Sequence, residues 1–217
     1  TTNIGPLVLA DGWTEVVLIT KTYKHSDGRK QKEHPGKPEG VIALADAIKT
    51  SGALTSLNIS NNRMATKEPG KALADGLRAN SVLKELDVSG NSWVDFEAGT
   101  KGDGPAFAKE LAVGLKNNGA MTSLNIGDND IPVENMNEII AIVEAKPAMK
   151  VLCAVPFRDK TITELDVSGQ SLGVEGALVI RRYLENNGAL ASLNLAANDL
   201  GPYGAELVAE AITGHVS

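Results

Sequence analysis

Few residues of this chain have both the type and the spacing to form a reactive centre. Cys153 is the lone cysteine. As a nucleophile it would need a neighbouring base, and no histidine lies near it in sequence, so a plain core or strand thiol is expected. His25 and His34 have no cysteine close by and make a poor zinc set. Asp95, Glu97 and Asp103, with Lys101 among them, fall in the glycine-rich stretch Val94–Pro105. Their spacing does not match a calcium-binding helix–loop–helix, and a solvated surface loop is expected there. Lys21, Lys24, Arg29, Lys30, Lys32 and Lys37 crowd one segment, but only Tyr23 is available to stack on a base, and an acidic chain repels phosphate backbones. The expectation is a chain with no catalytic residues, no metal, no cofactor and no nucleic-acid partner.

Composition agrees with that reading. The chain has 217 residues, 42% hydrophobic and 22% charged, with a formal net charge of −6. This is globular composition with enough length for a sizeable core. No apolar run approaches the roughly 18 residues of a membrane span. One cysteine excludes a disulfide framework and fits a reducing compartment, so a cytoplasmic, intracellular protein is expected. Aromatic residues are only 4%, while glycine reaches 22 residues.

The dominant signal is self-similarity. Five segments share one spelling: they begin at Leu54, Leu83, Met121, Ile162 and Leu190, carry Leu at the fourth position and Ile, Val or Leu at the sixth, and hold an amide at the ninth. Alternation at positions four and six predicts a strand buried on one face. Between them, inward positions four apart predict helices: Leu44 and Ile48, Leu73 and Leu77, Leu111 and Leu115, Ile139 and Val143, Ile180 and Leu184. Val208 and Ile212 continue that frame. Gly52, Gly119 and Gly188 punctuate helix ends. The ninth-position amides Asn62, Asn91, Asn129, Gln170 and Asn198 can satisfy backbone groups where the chain leaves the sheet, forming a structural ladder along the stack.

These residues resemble the leucine-rich repeat, specifically its ribonuclease-inhibitor-like class, over about residues 41–217. The resemblance implies an α/β solenoid, a horseshoe arc with a parallel concave sheet and convex helices, in five clear repeats plus one shortened at 149–161. In the shortened unit Phe157 replaces the amide, and we expect a repeat whose helix is missing with Phe157 filling the gap. Residues 1–40 are expected to be a non-repeat N-terminal cap. Leu9, Trp13 and Pro35 with the Asp27-Gly28 turn give this cap a resemblance to a degenerate WW domain at about 9–35, which implies a small three-stranded antiparallel module. Lys32 stands where that family has its ligand-stacking tryptophan.

Positions two, three and five of each unit are expected to face outward from the sheet. The candidate partner-binding face is therefore Asn58, Lys84, Glu85, Asp87, Thr122, Asn125, Glu164, Asp166 and Asn194. It is polar and slightly acidic, which points to an unknown protein partner with a basic surface. The resulting expectation is a non-catalytic protein–protein interaction scaffold. A regulator of an enzyme, either a GTPase-activating protein or an enzyme inhibitor of the same repeat class, and a structural repeat protein are the alternatives. Exposed ends of a stack allow a monomer or a weak end-to-end dimer.

Overall fold

The computed structural model describes residues 15–17, 38–95 and 99–214. In chain order these form β1 (Glu15–Val17), α1 (Pro38–Thr50), β2 (Ser56–Asn58), α2 (Lys67–Ala79), β3 (Glu85–Asp87), the hairpin β4 (Val94–Asp95) and β5 (Thr100–Lys101), α3 (Gly104–Asn117), β6 (Ser123–Asn125), α4 (Val133–Glu144), β7 (Val151–Leu152), β8 (Glu164–Asp166), α5 (Gly173–Leu184), β9 (Ser192–Asn194) and α6 (Gly201–Gly214). The strands are very short and each carries a single inward residue: Leu86 lies buried between an exposed Glu85 and a half-buried Asp87, with Leu83 and Val88 buried just outside the strand. The helices pack behind the sheet and close one elongated apolar core running from Leu44 to Ala211.

The strands run parallel in a common register, Leu57 beside Leu86 and Leu86 beside Leu124. The register continues from Leu124 to Leu152, and separately from Leu165 to Leu193. The expected horseshoe with one continuous concave sheet does not form. The sheet is split into a five-stranded piece, ordered β1-β2-β3-β6-β7, and a two-stranded piece, β8-β9. The break has a local cause. After β7 the chain reverses through Cys153 and Ala154, both at positive φ (47° and 59°), so that Leu152 and Val155 form an antiparallel bridge. No helix lies between β7 and β8, and the linker is shorter than the dozen or so residues that a parallel crossover needs.

The N-terminal cap also departs from expectation where it is described. Glu15–Val17 pairs in parallel with β2, Val16 beside Leu57, and so extends the sheet as one more strand. A WW-like module would instead be an antiparallel unit of its own. The remainder of the stretch at 9–35 lies outside the described residues, as do His25, His34 and the basic segment. Of the Val94–Pro105 loop, β4 and β5 form a two-residue antiparallel ladder. Asp103 is the N-cap of α3, accepting a hydrogen bond from the Ala106 N–H at 3.0 Å, so this carboxylate is spoken for structurally. Glu97 lies outside the described residues.

Candidate partner-binding faces and the seam between the two sheets

The ninth-position amides sit at the turn out of each strand, where backbone carbonyls would otherwise be buried without donors. Asn91 donates from Nδ2 to Val88 O in its own unit (2.7 Å) and to Ile59 O in the preceding one (3.1 Å). Asn129 does the same with Ile126 O (2.8 Å) and Val88 O (3.0 Å). Asn198 repeats it with Leu195 O (3.0 Å) and Val167 O (2.7 Å). The carbonyl oxygen of Asn91 accepts the Asn62 N–H (2.6 Å), and that of Asn198 accepts the Gln170 N–H (2.8 Å). Asn62 itself is buried and donates to Ser60 O. Gln170 differs: its side chain is exposed and reaches only Ser168 O, because its unit opens the second sheet and has no regular neighbour before it.

A second ladder was not foreseen. Three residues before the first position of each unit, the shortened one included, stand Ser51, Asn80, Asn118, Lys146, Asp159 and Asn187. The Asn80 carbonyl oxygen accepts the Val82 and Leu83 N–H groups, while its Nδ2 donates back to Ile48 O at 2.8 Å. Asn118 bonds likewise to Met121 N–H and to Leu77 O. Lys146 substitutes an ammonium, donating to Asn118 O at 2.6 Å. The sequence carried this signal as an Asn-Gly or Asn-Ser pair at constant distance from the leucines.

The outward face divides into two kinds of residue. Asn58, Asp87, Asn125, Asp166 and Asn194 each accept the N–H two residues on, from Ser60, Ser89, Gly127, Ser168 and Ala196. They form side-chain turns that end each strand, which commits much of their hydrogen-bonding capacity. Hydrogen bonds from Ser168 and Asn194 also hold the Asp166 carboxyl below its ordinary range. Thr122 donates to Lys84 O. The Glu85 and Glu164 side chains are exposed and make no hydrogen bond or ion pair among the described residues, and Lys84 is exposed beside Glu85. The structure brings Lys84, Glu85, Asp87, Thr122 and Asn125 together on the larger sheet. Glu164, Asp166 and Asn194 lie on the smaller one, beyond the break.

At the seam the ladders stop and Glu175 takes over. It stands in the first turn of α5, is only 3% exposed, and accepts three backbone N–H groups from the turn after β6. Its Oε1 accepts from Asn129 (3.0 Å) and Ile131 (2.8 Å), its Oε2 from Asp128 (3.2 Å). Burial raises the Glu175 carboxyl above its ordinary range, against the lowering effect of those N–H groups. Gly127 permits the approach, since a β-carbon there would collide with the Ser171 and Leu172 carbonyl oxygens.

Behind the sheet the same seam leaves a cleft. In α2 and α3 the seventh position before the next unit is Gly76 and Gly114, against which Ala45 and Ala74 of the preceding helix pack closely. In α5 that position is Tyr183, and the shortened unit directly before it has no helix to pack closely there. Its ring is buried, its hydroxyl donates to Asp159 O at 2.8 Å and accepts from Asn187 Nδ2 at 2.6 Å. Phe157 packs against the core beside it, with the Arg158 guanidinium 5.0 Å over its ring. Arg158 in turn donates to Glu144 O and Lys146 O, closing the C-terminal end of α4. α4 and α5 are the most loosely packed of the consecutive helices described, and an Arg182–Glu144 ion pair at 3.1 Å crosses between them.

Cys153 is fully buried, and desolvation pushes its thiol up to about 12, so it stays protonated and unreactive. Among the described residues no group of three or more His, Cys, Asp or Glu is placed to hold a metal. No described helix is long and apolar enough to cross a membrane.

No family model matches the chain. Among solved structures it is similar to a Caenorhabditis elegans tropomodulin C-terminal domain, with 14% identity over 82% of this chain and 92% of that one, at a TM-score of 0.43. It is also similar to the actin-binding site 2 of leiomodin-1, with 20% identity over 78% of this chain and 88% of that one, again at 0.43. The interrupted sheet, split where the chain reverses after β7, corrects the expected horseshoe of the ribonuclease-inhibitor-like repeat class; what stands is an α/β fold with a small parallel sheet.

Proposed function

We propose that this chain is a non-catalytic protein-binding module that presents the uncovered side of its parallel sheet to a partner with a basic surface. The observation carrying this reading is the pair Glu85 and Glu164, exposed carboxylates that no described side chain satisfies. Unpaired charge on a rigid, one-sided sheet steers association and sets register more than it adds affinity. The aspartates and asparagines of the same strands serve the strand-ending turns, so the binding chemistry rests on Glu164 of the smaller sheet and on Glu85 with its neighbours Lys84 and Thr122 on the larger one. The single buried thiol suits an intracellular setting.

The test uses the wild-type chain and a Glu85→Lys/Glu164→Lys variant as parallel baits in cell extract. The reading expects a partner retained by the wild type and lost by the variant, with a binding constant that weakens as salt rises. Identical retained proteins for both baits would discard it. Asp87 and Asp166 are left unchanged, because reversing them would also break the turns.

A further inference from the structure

The cleft between α4 and α5 is a second place where a macromolecule can be held, on the opposite side of the molecule from the sheet face. It has two lobes. One, of about 290 Å³, is floored by Val143, Leu152 and Val179 and walled by Phe157 and Tyr183. The other, of about 400 Å³, continues along the helices past Ile140 to Leu178 and Tyr203. The lobes share Ile140, Glu144 and Arg182, so the Arg182–Glu144 pair bridges a single trough. A trough running along a 12-residue helix extends about 18 Å. That shape suits an elongated chain segment better than a compact metabolite.

Charge decides which kind. Arg158, Lys160 and Arg182 line the first lobe against Glu144 alone, an excess of positive charge in a chain whose net charge is −6. Arg158 is engaged with the α4 carbonyls and Arg182 with Glu144. Lys160 holds its ammonium 4.9 Å from the Tyr183 ring centroid and forms no ion pair among the described residues. Partial burial lowers its basicity, so a carboxylate brought beside it regains what desolvation took away.

We infer that this trough binds an acidic amphipathic segment of a protein partner, its apolar side chains in the two lobes and its carboxylates at the Lys160 end. The inference rests on the protein-binding reading only in that the ligand is a protein segment; it concerns a different surface. The missing helix after β7 creates the space, and the aromatic pair Phe157 and Tyr183 keeps the core sealed beneath it.

The test is fluorescence anisotropy with the full chain and two labelled 14-residue peptides. Both carry Leu at every third or fourth position, one with Glu and the other with Lys between. The Leu/Glu peptide is expected to bind about tenfold tighter than the Leu/Lys peptide, Lys160→Glu to weaken it about tenfold, and Lys160→Ala to weaken it less. The Glu85→Lys/Glu164→Lys variant should bind it as the wild type does. Equal affinity for the two peptides, no binding of either, or an unaffected Lys160→Glu variant overturns the inference. Each of those results leaves the sheet-face reading to its own bait experiment. Tighter Leu/Glu binding on the Glu85→Lys/Glu164→Lys change with Lys160→Glu silent would transfer the peptide to the sheet and overturn the trough.

Discussion

The joint between α2 and α3 and the joint between α4 and α5 join similar units by different means. At the first, Gly114 lets its helix backbone approach Ala74, and the strands above share amide bridges through Asn91 and Asn129. At the second, there is no strand pairing between β7 and β8, and the helices part around Tyr183 and Phe157. One buried carboxylate, Glu175, accepts with its two oxygens the three N–H groups that a neighbouring unit's backbone and amide would otherwise satisfy. The difference shows that stacking requires satisfied turn donors and a filled core, and that neither must come from a repeated residue.

The contrast can be broken most severely at Glu175. Glu175→Ala would leave two buried N–H groups and one half-buried one without acceptors and should lower stability by about 3–5 kcal/mol, read as a fall in urea midpoint. If the two sheets unfold separately in that variant, near-UV and far-UV transitions will no longer coincide. Asn91→Ala removes the equivalent device from a regular joint, at about 2–4 kcal/mol, whereas Gln170→Ala should leave the midpoint unchanged, because that amide is exposed at the opening of the second sheet. Equal losses at Asn91 and Gln170 would erase the distinction between ladder and seam.

Next in size is Gly114→Ala. Its β-carbon would lie 2.6 Å from the Ala74 Cα, a backbone atom that cannot step aside, and about 2–3 kcal/mol should be lost. The corresponding change in α5, Tyr183→Phe, removes only a hydroxyl and should cost about 1–2 kcal/mol through Asp159 O and Asn187.

The smallest effects concern ionisation. Glu175 has its folded value raised by burial, so its protonation favours the folded state. That contribution is complete below the unfolded glutamate value and is lost as pH climbs through the raised one. Stability of the wild type relative to Glu175→Gln should therefore decline over that interval and be level below it, measured by urea titration at successive pH values. Cys153, held as a thiol, should not react with a thiol-specific reagent in the native chain and should react fully in denaturant.

Much of this was legible in the residues. Leu57, Leu86 and Leu124 announced strands that pair in one register, and the helical frame of Leu73 with Leu77 or Leu111 with Leu115 follows from spacing alone. The second ladder was equally visible at Asn80, Asn118 and Asn187 but was masked by the louder leucine pattern. The face residues were placed outward, yet alternation cannot tell that Asp87 or Asn58 spends its side chain on a turn while Glu85 does not. Glu175 was silent, since nothing distinguishes an acid in a helix's first turn that is solvated from one that is buried.

Local order here is a matter of the amino-acid string: period two against period four, an amide at each exit from a strand, and a glycine past a helix are effects between residues a few positions apart. Which unit lies against which is a matter of the folded whole. The reversal at Cys153 and Ala154 ends one sheet, the linker beyond is too short to cross back, and Glu175 meets Asn129 from 46 positions away. Such meetings depend on how far the chain can reach and what must be hidden from water, and those conditions exist only once the units have stacked.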